Sequence, residues 1–300
     1  MDPWSNSTSP VDFGGHGTHT LGTVLGANVG VAPGVQWIGC TNLQRNLGNP
    51  AFYLDCLQFM LAPYPQQGDP FRDGDPLRSA NVLNNSWGCP EKNEGCDPQS
   101  LQPAVEALRA AGIFVVASAG NEGPLCSSLD SPIAIYDAAF TVGASDINRN
   151  LAPFSSAGPV TADGSGRIKP DILAPGVQVP SAYPTNAYTE LDGTSMAGPH
   201  VAGVVALLWS ANPDLIGDID RTEALMIDTA TPFTGTLGGL GPMMQETGEV
   251  DPDPVTALLL GSMFSRDACV FKTDLAQTPN VAAGYGIVNA YAAVKQALDR

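Results

Sequence analysis

Apolar and polar positions along the chain alternate between a strand rhythm and a helix rhythm. Asn81–Trp87 reads as a short strand ending at Gly88. A helix is expected over Ser100–Ala111, with Leu101, Val105 and Leu108 on one face and Gly112 just past its end. Ile113–Ala117 is a continuous apolar run, the pattern of a strand buried on both faces. Phe140–Ala144 and Asp171–Ala174 read as two more strands, and helices are expected over 198–211, 221–229 and 286–299. This alternation predicts an α/β fold, a mostly parallel sheet flanked by helices, with any site at the C-terminal ends of the strands. The chain, 1–300, is read as one domain. The stretch 235–283, rich in Gly, Met, Asp and Pro, interrupts the final helices and is expected to be a loop insertion within it.

Composition narrows the functional classes. The chain carries 13 Lys+Arg against 30 Asp+Glu, a formal charge of -17, which argues against nucleic acid or an anionic membrane as partner. With 43% hydrophobic and 14% charged residues it is a folding composition rather than a disordered one. The longest apolar stretch, Val201–Trp209, falls short of the roughly 20 residues of a membrane span. Met1–Asn6 has neither the basic nor the apolar region of a leader, so no signal peptide is expected in this chain. The six cysteines, at 40, 56, 89, 96, 126 and 269, form no CxxC pair, and with three histidines a structural zinc site is not expected. Cys89 and Cys96 bracket a short polar loop that suits a local disulfide, and Cys40 with Cys56 suits a second. Six buried thiols in a reducing compartment are the alternative. The disulfide reading favours an exported setting.

Candidate chemistry concentrates in three short motifs. In Gly15-His16-Gly17-Thr18-His19-Thr20 a histidine stands between glycines, where imidazole can serve as a general base or merely open a helix. A metal reading lacks a carboxylate ligand set, and the glycine spacing does not fit a dinucleotide loop. In Gly193-Thr194-Ser195-Met196-Ala197-Gly198-Pro199-His200 small residues surround a serine that opens a long apolar helix. There the free N–H groups and the helix dipole favour negative charge, although a plain N-cap serine has the same look. In Ser118-Ala119-Gly120-Asn121-Glu122-Gly123 a buried strand delivers an asparagine into a turn, as an oxyanion donor or as a turn residue.

Taken together, in this chain order, the three motifs resemble the subtilisin-like serine peptidases, the subtilases, most like the bacillopeptidase F branch. Asn84-Asn85-Ser86-Trp87-Gly88, Lys169-Pro170-Asp171-Ile172-Leu173-Ala174-Pro175-Gly176 and Gly284-Tyr285-Gly286-Ile287-Val288-Asn289-Ala290 are similar to further blocks of that family. The resemblance implies a three-layer α/β/α fold and a serine endopeptidase acting on proteins or peptides without a required cofactor. It further implies a monomer, with a pro-segment inhibitor as partner. It implies Ser195 as nucleophile, His16 as general base, and Asn121 as oxyanion donor together with the Ser195 N–H. Ser86, Trp87 and Gly88 would form one edge of the substrate strand, and Ser118, Ala119 and Gly120 the opposite wall of the primary specificity pocket. His19 and His200 would be structural.

One departure stands out. The family places its triad aspartate on a core strand well before the histidine block, and only Asp2 and Asp12 precede His16 here. Asp12 stands where the family has an acid near the cleft, not the triad acid. The expectation is therefore an N-terminal truncation that removes the first strand and leaves this chain nearly or wholly inactive by itself. Calcium is implied by the resemblance, and Asp69, Asp73 and Asp75 cluster in one loop, but Arg72 intrudes and a solvated acidic loop is the favoured reading. The alternative function is a non-catalytic peptide-binding module that keeps the cleft.

Overall fold

The computed structural model describes residues 11–43, 47–238, 269–275 and 277–299. Its central sheet has four parallel strands in the order β1 (Val82–Asn85), β2 (Phe114–Ser118), β3 (Phe140–Ser145) and β4 (Ile172–Pro175). Val82 pairs with Phe114, Val116 with Phe140 and Val142 with Ile172. Every residue of β2 and β3 is buried, which is why the β2 segment reads as an unbroken apolar run and β3 as apolar and small residues around Thr141.

The pleat divides β2 between two cores. Phe114 and Val116 face the helix α5 (Thr194–Ala211), packing with Val201, Val205, Leu208 and Trp209. Val115 and Ala117 face the other way, against Leu101, Val105 and Leu108 of the segment leading through α4 (Gln102–Ala110). Tyr53, Leu57 and Met60 of α2 (Pro50–Leu61) join that second core. Helices on both faces of a parallel sheet make the expected three layers. Between α2 and α4 lies a single helical turn, α3 (Glu91–Glu94). Among the described residues β1 is an edge strand. No helix among them is long and apolar enough to cross a membrane.

Several elements differ from the sequence reading. α5 begins at Thr194, four residues before the expected start, and carries Pro199 inside it. Proline lacks the N–H that would bond the carbonyl four residues back, that of Ser195. The Ser86 hydroxyl donates to this carbonyl instead, at 2.7 Å. The last helix covers Ala290–Leu298 rather than 286–299, because Asn289 caps it and Ile287 bridges to Leu173 and Thr231 as extended chain. α1 (His16–Leu25) takes up the helix start left open at His16, while α2 and an antiparallel hairpin of β5 (Val179–Tyr183) and β6 (Ala187–Leu191) are unforeseen. α6 (Ile219–Asp228) matches its expected helix within two residues.

All three cysteine pairs are closed: Cys40–Cys56 and Cys89–Cys96 as the spacing suggested, and also Cys126–Cys269. Of the expected insertion 235–283, residues 239–268 lie outside the described residues. Its two described ends are tied down, Gly238 donating to the Leu151 carbonyl at 2.7 Å and Cys269 to that of Pro124 at 2.8 Å.

Candidate active site

His16 opens α1, and Asp12 is what starts that helix. Its Oδ1 accepts from the N–H groups of Gly14 at 3.1 Å and Gly15 at 2.8 Å. Its Oδ2 accepts from the Thr18 N–H and hydroxyl, both at 2.7 Å. Burial raises the Asp12 carboxyl, but these four hydrogen bonds outweigh it and hold the group below its ordinary range. The half-buried His16 ring is held below the usual imidazole range chiefly by burial, with Asp12 pulling the other way and His19 adding to the depression.

His19 is fully buried, its Nε2 within 3.0 Å of the Val179 carbonyl and 3.2 Å of that of Thr189, while its Nδ1 meets no partner. His200 is held by the Met196 carbonyl, 2.9 Å from its Nδ1. Burial lowers both imidazoles, against the pull of these carbonyls. The contacts tie His19 to the hairpin and His200 to its own helix.

Ser195, the second residue of α5, and Ser86, the first residue past β1, interlock. The Ser195 hydroxyl donates to the Ser86 carbonyl at 3.2 Å, while the Ser86 hydroxyl donates to the Ser195 carbonyl. Ser86, Trp87 and Gly88 thus leave the C-terminal end of β1 directly beside the α5 N-terminus. Ser118 closes β2, and Ala119 and Gly120 continue from it, with the Ala119 N–H on the Val142 carbonyl at 3.0 Å. Opposite Gly88 lies Ser131: a Cβ at residue 88 would stand 3.0 Å from the Ser131 Oγ.

Asn121 projects from the turn after β2, and Thr194 fixes its amide. The Thr194 N–H reaches Asn121 Oδ1 at 2.9 Å and the Thr194 hydroxyl at 3.0 Å. With its oxygen held inward, the amide presents Nδ2 outward. A Cβ at Gly193 would stand 3.6 Å from Asn121 Nδ2, from the Ser195 backbone nitrogen and from Met196 Sδ. Gly193 has φ +149, so glycine alone keeps that space open without strain. Two N–H donors therefore border one empty point at the positive end of a long helix, the arrangement that favours a developing oxyanion.

Residues 2–286 match the profile of the subtilase family. The chain belongs to that family. It is 40% identical over 246 residues to bacillopeptidase F of Bacillus subtilis (strain 168), covering 78% of this chain and 16% of that protein. With subtilisin DY of Bacillus licheniformis it shares 36% over 219 residues, 70% of this chain and 69% of the relative. The chain thus spans a small part of the first relative and about two thirds of the second. Two solved structures share the fold. The prenylagaramide maturation protease PagA has a TM-score of 0.62 at 20% identity, over 96% of this chain and 84% of that one. A protease from Pseudoalteromonas arctica has a TM-score of 0.65 at 24% identity, over 94% of this chain and 70% of that one.

In this subtilase Thr194 and Ser131 lie against the candidate residues Asn121 and Gly88 without having been singled out by the motifs; Thr194 stands inside the serine motif, and only its contact with Asn121, 73 residues away, sets it apart. The calcium loop does not fit its metal. Asp69 and Asp75 each turn one oxygen onto a backbone N–H, Phe71 at 2.9 Å and Leu77 at 3.0 Å. Asp73 accepts from the Asp69 N–H at 2.7 Å, and Arg72 and Arg78 pair with Asp69 and Asp75. Among the described residues no group of three or more His, Cys, Asp or Glu converges as a metal site.

Proposed function

We propose that the site is that of a serine endopeptidase. Ser195 attacks the scissile carbonyl carbon, and His16 takes the hydroxyl proton and delivers it to the leaving amine. The tetrahedral oxygen lies between Asn121 Nδ2 and the Ser195 N–H. Ser86–Gly88 and Ser118–Gly120 pair with the extended substrate backbone on its two sides. The observation that carries this reading is the shared 3.6 Å approach of two N–H donors to the empty position at Gly193. In the resting geometry the Ser195 hydroxyl points at the Ser86 carbonyl, so its proton swings to His16 on substrate entry.

The acid of the triad is proposed to come from a strand that pairs with the outer edge of β1. Two features support this: all four acceptor positions of Asp12 are occupied, and β1 is an edge strand among the described residues. Protein or peptide substrates, a monomer, and an exported setting consistent with three closed disulfides complete the proposal.

The test is covalent labelling by an alkyl fluorophosphonate, read as intact mass, with Ser195→Ala as control. Labelling that disappears in the control supports the reading, and appending a segment that carries the acid should then raise peptidase turnover by orders of magnitude. The absence of both labelling and turnover after a segment carrying the acid has been appended defeats it. The inward hydroxyl of Ser195 favours a second reading, a peptide-binding module without turnover, which predicts unchanged peptide affinity in Ser195→Ala.

A further inference from the structure

Resting on the reading of Ser86–Gly88 as the substrate edge, we infer that Tyr53 is a positioning residue that holds this edge from behind. Tyr53 is fully buried in α2, far in sequence from every motif, yet it touches two of the three edge residues. Its ring stacks on the Trp87 indole with centroids 3.9 Å apart and planes 4° from parallel. Its hydroxyl lies 3.5 Å from the Gly88 carbonyl. Trp87 itself is half-buried, so the covered indole face is fixed while part of the side chain stays accessible.

The phenol is in turn locked. Its hydroxyl donates to Glu94 Oε2, and the other oxygen of Glu94 accepts from the Gly48 N–H at 3.0 Å. Gly48 lies so close that a Cβ there would overlap the phenol ring. Cys56, one turn after Tyr53, is tied to Cys40, and Cys89–Cys96 closes the turn that carries Glu94. Burial first, and Glu94 second, push the phenol above its ordinary range, so it remains a donor throughout the working pH range. A buried aromatic that served only as core would need neither the parallel stack on an edge residue nor a hydroxyl pinned between two disulfide-closed segments.

A residue that sets the pose of the substrate edge matters to an extended ligand and not to one confined to the nucleophile. The experiment compares two probes on the full chain: a small alkyl fluorophosphonate, and a tetrapeptidyl diphenyl phosphonate that must lie along Ser86–Gly88. In Tyr53→Leu, which keeps apolar volume but loses the stack and hydroxyl, the peptidyl probe should label about three- to tenfold more slowly. The small probe should stay within about twofold of the parent, certifying the fold. Tyr53→Phe restores the stack and should recover most of the rate. Should Tyr53→Leu lose both rates through misfolding, Gly48→Ala, which displaces the phenol from outside, must show the same selective loss. Equal slowing of both probes by both variants, or slowing of neither, overturns the inference while leaving the peptidase reading intact. A chain that neither probe labels even with the acid-bearing segment appended defeats the peptidase reading, and this inference with it.

Discussion

Thr194→Val isolates the restraint on the oxyanion donor. Thr194 is 1% exposed, and valine matches its shape. The lost hydroxyl lies 3.0 Å from Asn121 Oδ1 and 3.2 Å from both the carbonyl and the N–H of Gly120. Having one proton, it serves one of the two acceptors at a time, a net contribution of about 1 kcal/mol, while the abandoned Gly120 N–H costs about 1–3 kcal/mol. The stability loss is then about 2–4 kcal/mol, or on the order of 3–6 °C in Tm for a chain of this size. The Thr194 N–H still holds the Asn121 oxygen at 2.9 Å, so one of two restraints survives. Labelling by the fluorophosphonate, whose phosphoryl oxygen occupies the oxyanion position, should fall about tenfold, less than the 10²–10³ that follows from deleting such a donor outright. Thr194→Ser should retain both properties. A labelling rate unchanged beside the expected fall in Tm would refute the restraint, and an unchanged Tm would refute the hydrogen bonds themselves.

Four further outcomes test the rest of the structure. A base held low by burial is neutral early, so the labelling rate should reach half-maximum below pH 6.5, the ordinary imidazole value. His16, His19 and His200 all have folded values below the unfolded one, so their contribution to stability is complete above about pH 6.5 and is lost as pH falls through the folded values; a midpoint at or above 6.5, or a Tm that climbs on acidification, contradicts this. Lys169 is 4% exposed and donates to the Ala139 carbonyl at 2.7 Å and to Asp171 at 2.6 Å. Lys169→Met leaves that carboxylate with the Thr141 N–H, at 2.6 Å, but without its cation and should cost about 3 kcal/mol in denaturant unfolding, the low end for a broken buried pair because Asp171 keeps this donor and 17% exposure; a loss below about 1 kcal/mol would show the pair to be idle. Cys126–Cys269 spans 143 residues, for which chain entropy sets a ceiling near 5 kcal/mol. The double replacement by serine should lower Tm measurably without a reductant, and an unchanged Tm would mean that the loop is held by other contacts.

What could be read from the chain beforehand follows from where each signal resides. β2 was legible because burial on both faces leaves an apolar run from Ile113 to Ala117, β3 because its mostly apolar and small residues are interrupted only by Thr141 before Ser145, and α4 because Leu101, Val105 and Leu108 repeat at helical spacing and are all buried. α2 carried its own start signal, Asn49 capping Phe52 ahead of Pro50, but its nearly all-apolar stretch lacks the polar face that marks an amphipathic helix. The hairpin β5–β6 is half exposed, and its turn relies on Thr185 and Asn186 at positive φ, a weak local signature. The start of the expected helix, residues 286–288, is instead extended chain, with Ile287 bridged to Leu173 and Thr231, contacts that no local pattern encodes. His16, Asn121 and Ser195 lie in small-residue motifs whose backbone demands are local. The parts of Thr194 and Tyr53 arise from neighbours distant in the chain.

Asp12 decides how far the visible site can go by itself. A carboxylate offers about four lone-pair positions, and all four here face donors, the Gly14 and Gly15 N–H groups ahead of α1 and the N–H and hydroxyl of Thr18 in its first turn. None remains for an imidazole N–H, so Asp12 acts on His16 only as a nearby charge that raises its affinity for a proton. Asp12→Asn separates the two roles. Removing the charge should move the labelling midpoint to lower pH, and exchanging one oxygen for an amide that faces N–H donors should loosen the start of α1. The plateau rate, measured well above the midpoint, should change little. An acid that orients the base would behave otherwise, since its loss in subtilisin lowers kcat by roughly 3 × 10⁴. A plateau collapse of that order would make Asp12 the triad acid after all, and would remove the need for a further strand on the edge of β1.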